Sequence, residues 1–156
     1  MPISANCEIA TSAVISHPEL VNLYGCSISA GTKVGPFVEI QAGVYVGAHC
    51  KIQSHSFICE GVKIGNGVFV GHGVMFTNDR NPRATNPDGT MVETGSWVLE
   101  TTIVEDGASI GSNVVILPGL TIGRNSIIGA GSVVTKSVAP NSTVIGNPAV
   151  PVIKKK

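Results

Sequence analysis

Ile64-Gly65-Asn66-Gly67-Val68-Phe69-Val70-Gly71-His72-Gly73-Val74-Met75-Phe76 is the stretch that decides how this chain folds. A large apolar residue stands at every sixth place, Gly follows at 65 and 71, and Val68 and Val74 come four places after their aliphatic residues. The pattern extends N-terminally through Ile58, Ile52, Val46, Ile40, Val34 and Ile28 without an exception. It recurs at Val98, Val104, Ile110, Ile116, Ile122, Ile128 and Val134, and a weaker series runs through Ile3, Ile9, Ile15 and Val21. Self-similarity at a fixed short period is the mark of a repeat architecture.

A period of six fits neither the 3.6 nor the 3.5 periodicity of helices, but it suits a short strand followed by a corner. One hexad cannot close on itself. Three make a triangular coil of about 18 residues whose aliphatic side chains stack on the coils above and below at about 4.8 Å. The predicted fold is therefore all-β, a parallel β-helix, with Gly where a corner needs positive φ or close backbone approach. Pattern alone leaves the hand open, and the general rule for parallel crossovers favours a right-handed path.

Two interruptions stand out. Near His17-Pro18-Glu19-Leu20 the register slips by one residue between Val21 and Ile28, which reads as a small bulge. After Phe76 the repeat stops, and the polar, turn-rich run Thr77 to Thr90 opens a loop excursion over 77–97 that ends at Trp97, read as its anchor. Insertions on a rigid repeat map to surface loops that often carry binding residues, so the active site is expected beside this one.

Composition agrees. The chain has 156 residues, and ten Lys+Arg balance ten Asp+Glu, which argues against a nucleic-acid or membrane-surface binder. Charged residues make up 13% and aromatic residues 4%, so burial rests on Val and Ile. We expect a single domain, 1–156, with a basic C-terminal tail over 151–156. No apolar run approaches the ~18 residues of a membrane span, and the N-terminus lacks the pattern of a signal peptide, so a cytoplasmic location is expected. Cys7, Cys26, Cys50 and Cys59 form no CxxC pair and read as reduced small hydrophobes.

The hexads, together with the stretches Ala108 to Ile116 and Ile128 to Lys136 and the closing Gly146-Asn147-Pro148-Ala149, resemble the hexapeptide-repeat acyltransferases. The resemblance implies a left-handed β-helix, a homotrimer, and acetyl-CoA as acyl donor in grooves between subunits. It places Ser112, Ala130, Thr135 and Lys136 along the CoA arm. Where relatives carry Arg or Lys after the Pro-Ala pair, this chain has Val150, and Lys154-Lys155-Lys156 is the candidate substitute.

In the loop, the sugar O-acetyltransferases of this family carry a catalytic His before a Pro, whereas this chain has Asn81 before Pro82. A hydroxyl needs a base to take its proton, while a neutral amine already offers a lone pair. The segment Val70 to Arg83 resembles the nucleotide-linked amino-sugar N-acetyltransferases, which make 3-amino-sugar derivatives for surface polysaccharides. That resemblance implies a dTDP- or UDP-linked amino sugar as acceptor, with Asn78 binding its amino group and Asp79 next in line. Arg80 and Arg83 would neutralise a diphosphate or carboxylate through forked donors. His72 would assist proton removal, His55 would line the same cleft, and His49 reads as structural. Zinc carbonic anhydrases share this helix, but five residues separate His49 from His55 where their close pair has four, so no metal is expected. The alternatives are an O-acetyltransferase, an N-acetyltransferase for another small acceptor, and a noncatalytic trimeric scaffold.

Overall fold

In a computed structural model, which describes residues 2–93 and 95–152, the hexads wind into the expected left-handed parallel β-helix. Its first coil is β1 (Glu8–Ile9), β2 (Val14–Ile15) and β3 (Asn22–Leu23). The second is β4 (Ser27–Ile28), β5 (Lys33–Val34) and β6 (Glu39–Ile40), and the third β7 (Tyr45–Val46), β8 (Lys51–Ile52) and β9 (Phe57–Ile58). The fourth, β10 (Val62–Ile64), β11 (Phe69–Val70) and β12 (Met75–Phe76), carries the loop. The fifth is β13 (Thr102–Val104), β14 (Ser109–Ile110) and β15 (Val115–Ile116), and the sixth β16 (Thr121–Ile122), β17 (Ile127–Ile128) and β18 (Val133–Val134). Every third strand pairs, giving three flat faces: face 1 from β1 to β16, face 2 from β2 to β17, and face 3 from β3 to β18. Beyond them β19 (Thr143–Ile145) extends face 2 and pairs antiparallel with β20 (Val150–Pro151).

Two side chains per hexad turn inward. The aliphatic series from Ile28 to Phe76 and from Val104 to Val134 is fully buried, and so are the residues four places on, Val44, Cys50, Ser56, Val62, Val68 and Val74 among them. Each buried Val or Ile contributes about 1.5–3 kcal/mol, so the column of stacked aliphatics dominates stability. Two buried hydroxyls bond to the next coil, Thr32 Oγ1 donating to Gly47 O at 2.7 Å and Ser56 Oγ to Gly71 O at 2.8 Å, while Ser132 Oγ donates to Gly129 O in its own corner at 2.6 Å. Thr102 Oγ1 and Ser126 Oγ have no partner among the described residues.

The two glycine requirements separate by position. At Gly71, directly after the aliphatic residue, φ is ordinary, but an added Cβ would meet Ser112 N at 2.6 Å. At Gly73, two places on, φ is +64° and the corner itself demands the left-handed region. Asn113 and His55 occupy equivalent corners with φ of 57° and 63°.

Two expectations need correction. The N-terminal irregularity is a 3-10 turn, Pro18–Leu20, which Pro18 starts with its preset φ. It moves the inward strand position from Val21 to Leu23, which is 0% exposed, so two residues are added before Leu23 and the five-residue step to Ile28 takes one back, leaving the net slip of one. Val98, expected to restart the repeat, is 81% exposed. Its place on face 3 does not exist, because Met75 and Phe76 of β12 pair directly with Val115 and Ile116 of β15. The repeat resumes at β13, where Val62, Lys63 and Ile64 align with Thr102, Ile103 and Val104. The spacing of Val98 from Val104 is fortuitous.

Candidate active site

The residues singled out in the sequence divide between the two edges that border face 3. On the edge between faces 2 and 3, Ser54, His72, Ser112 and Ala130 fall in one column, joined by backbone bonds from Gly73 N to Ser54 O, Asn113 N to His72 O and Gly131 N to Ser112 O. His72 Nδ1 lies 2.8 Å from Ser54 Oγ. With Nδ1–H donating to that hydroxyl, Nε2 is left as a proton acceptor. His55 shares this edge, but its ring stacks on Phe37, centroids 4.8 Å apart. The structural reading of His49 agrees with its position at a left-handed corner, its ring lying where a Cβ on Gly31 would sit.

Asn78, Thr135 and Lys136 lie instead on the edge between faces 3 and 1, across the width of β12 and its neighbours. One subunit therefore does not bring His72 to Asn78, nor Ser112 and Ala130 to Thr135 and Lys136. Between the two edges the outward side chains of face 3 are apolar at Phe57, Met75, Val115 and Val133.

Asn78 is held by a ladder of hydrogen bonds that climbs its edge. Tyr24 Oη donates to Glu39 Oε1 at 3.1 Å, and Gln41 Nε2 donates to the same oxygen at 3.5 Å. Gln41 Oε1 accepts from Glu60 N at 3.1 Å, and Glu60 O accepts from Asn78 Nδ2 at 3.0 Å. Burial, then the bond to Glu39, pushes the Tyr24 phenol up and keeps it a donor. The Asn78 amide is thus oriented with its Oδ1 accepting nothing among the described residues. It lines a cleft of about 380 Å³ with Tyr24, Gln41, Phe57, Glu60 and Trp97. Trp97 accordingly packs over this edge from the loop. Tyr24, Gln41 and Glu60 escaped the sequence reading, although the spacing of 18 from Glu60 to Asn78 is one coil and puts them in register.

The loop is braced by charge. Arg80 makes a two-pronged pair with Glu100, Nε to Oε1 at 3.0 Å and Nη2 to Oε2 at 2.7 Å, and Nη2 also donates to Pro118 O at 3.0 Å. The pair raises the Arg80 guanidinium and holds the Glu100 carboxyl below its ordinary range. Arg80 thereby ties the loop to the solenoid, with its fork occupied. Asp79 Oδ1 accepts from Asn81 N at 2.8 Å and shapes the turn after Asn78. Arg83 pairs with no carboxylate among the described residues and lines a second cleft of about 360 Å³ with Asp79, Trp97 and Glu100. At the loop tip Asp88 accepts from Thr90 Oγ1 and N, which lowers its carboxyl.

Thr135 and Lys136 line a cleft of about 500 Å³ at the C-terminal end, floored by Val134, Val138 and Val144. Lys154, Lys155 and Lys156 lie outside the described residues. Among the described residues no group of three or more His, Cys, Asp or Glu could hold a metal, and no helix is long and apolar enough to cross a membrane.

The triangular solenoid of hexads with one excursion defines a repeat-built fold class, and the comparisons connect it with transferases. The family model "Bacterial transferase hexapeptide (six repeats)" matches residues 25–60 and 101–136. No curated protein matches the chain. Among solved structures, a hexapeptide-repeat containing acetyltransferase from Vibrio cholerae, complexed with acetyl coenzyme A, is 24% identical with a TM-score of 0.66, over 93% of this chain and 72% of that one. A hexapeptide transferase family protein from Anaplasma phagocytophilum is 16% identical with a TM-score of 0.75, over 96% and 80%. A mutant of AntD, an N-acyltransferase from Bacillus cereus in complex with dTDP and coenzyme A, is 17% identical with a TM-score of 0.69, over 95% and 80%. Residues 25–60 and 101–136 thus carry the bacterial transferase hexapeptide repeat, and the fold is the one seen in hexapeptide-repeat acetyltransferases.

Proposed function

We propose that the chain is an acetyl-CoA-dependent N-acetyltransferase whose acceptor is the amino group of a nucleotide-activated amino sugar, dTDP- or UDP-linked. Asn78 carries the reading: its amide is fixed from behind by Glu60 O, and Oδ1 is left to accept an N–H from an incoming amine. With that bond made, the nitrogen lone pair is aimed at the thioester carbonyl. The carbon–nitrogen bond forms, backbone N–H groups stabilise the developing oxyanion, and the carbon–sulfur bond breaks. The departing thiolate takes the proton that the nitrogen gives up. The similarity to an N-acyltransferase bound to dTDP and coenzyme A supports the acceptor class.

The division of the cofactor residues supports a homotrimer. Ser112 and Ala130 stand on one edge and Thr135 and Lys136 on the other, so a groove using all four takes one edge from each of two neighbouring subunits. The apolar strip of face 3 would be covered in that assembly. Arg83, which pairs with no carboxylate among the described residues, is the cation assigned to a diphosphate, and Arg80 reaches one only by exchanging Glu100 for it. We place the reaction in the cytoplasm, supplying surface polysaccharide synthesis.

A second reading, O-acetylation, draws on the Ser54–His72 contact, because a hydroxyl acceptor needs a base such as His72 Nε2. Incubation with acetyl-CoA and a panel of dTDP- and UDP-linked amino sugars, with their hydroxyl counterparts as controls, separates the two by thiol release. Release with amino sugars alone supports the proposal. Release with hydroxyl sugars, or with none, overturns it.

A further inference from the structure

Of the four cysteines, Cys7 and Cys26 meet. They occupy the same inward corner in the first and second coils, directly before the paired residues Glu8 and Ser27, with their sulfurs 3.8 Å apart. Higher in that column stand Val44 and Val62, so sulfur faces sulfur only at this step among the described residues. Cys50 gives its thiol to Gly65 O at 3.1 Å, and neither it nor Cys59 contacts a second sulfur among the described residues.

We propose that Cys7 and Cys26 are an oxidisable pair, a site at which a peroxide introduces a disulfide that staples the first coil to the second. Adjacent parallel strands lie about 4.8 Å apart, inside the 4.4–6.8 Å that a disulfide spans between Cα atoms. The sulfurs need to close by roughly 1.8 Å to reach bonding distance. The first coil can yield that much where the cysteine lies: Ile9 and Ile15 are only partly buried, while Ile28 and Val34 above them are sealed.

The chemistry balances with a hydroperoxide as oxidant. Cys7, the more accessible sulfur, attacks the peroxide, so that an S–O bond forms, the O–O bond breaks, and an alcohol or water leaves. The Cys26 sulfur then attacks the Cys7 sulfenic acid. The S–S bond forms, the S–O bond breaks, and the departing hydroxide leaves as water with the Cys26 proton. Two thiols are oxidised and one peroxide is reduced. Burial, then the neighbouring Cys7, pushes the Cys26 thiol up to about 12, which assigns the first attack to Cys7.

The test treats the native, reduced protein with hydrogen peroxide, blocks free thiols under denaturing conditions, and digests without reductant after Glu residues. Cleavage at Glu8 and Glu19 leaves the two cysteines on separate peptides, which only a disulfide can join. The expected result is one crosslinked pair with an intact mass lower by two hydrogens, Cys50 and Cys59 still alkylated, and slower amide exchange in the first coil. Cys7→Ser and Cys26→Ala, each confirmed folded by circular dichroism, should abolish the crosslink and the added protection. Cys7 stopping at the sulfenic or sulfinic stage, pairing with Cys50 or Cys59, or a crosslink that accelerates exchange in the first coil would overturn the proposal.

Discussion

Asn78 and His72 lie on opposite edges of face 3, and they make opposite demands on the chemistry. If a neutral amine is the nucleophile, orientation by Asn78 outweighs any base, because positioning can supply ~7 kcal/mol or more while a helper base contributes ~10²- to 10⁴-fold. Asn78→Ala should therefore cost more in kcat/KM than His72→Ala, and His55→Ala, whose ring is stacked on Phe37, should cost least. Steady-state kinetics with the best amino-sugar acceptor checks the order. The pH profile of kcat/KM should rise with the unprotonated fraction of the substrate amine, with no limb from an enzyme histidine. A His72→Asn variant that binds both substrates yet fails to turn over would move the mechanism to general-base catalysis.

At the scale of elements, the loop hangs on Arg80 and Glu100. The folded-state pKa of Glu100 is lowered, so its contribution is complete above the unfolded carboxyl value of ~4.3 and is lost as pH falls through the lower folded value. Acidification from pH 6 to 3 should loosen the loop before the solenoid melts, and Trp97, the single tryptophan, reports it by fluorescence. Glu100→Gln should show the loosened emission already at pH 7; an emission unchanged from the parent would deny the brace. Within the strands, Thr102 places a hydroxyl without a described partner in a column shared with Val44 and Val62. Thr102→Val removes that buried polar group and should stabilise the fold by ~1 kcal/mol, read as a higher Tm.

The whole molecule is a stack in which each coil covers its neighbours, so one unpaired charge in the column breaks the stack. Ile116 lies between Phe76 and Val134, all three fully buried. Ile116→Asp should cost ~4 kcal/mol or more and most of the cooperative melting transition, and a variant with the parent's thermal melt would refute the stacking. Sequence alone determined this much, because a six-residue period is a local property repeated: strand, corner, inward aliphatic and glycine can each be read within one hexad. It also marked the loop by the loss of that period. It misplaced Val98 because spacing records distance along the chain, while β12 pairing directly with β15 depends on how the excursion returns. The same limit hid Gln41, Glu60 and Glu100. Their roles arise from contacts made 18 to 20 residues away, where coil stacking and loop closure decide which polar atoms meet and which edge of the prism each side chain occupies.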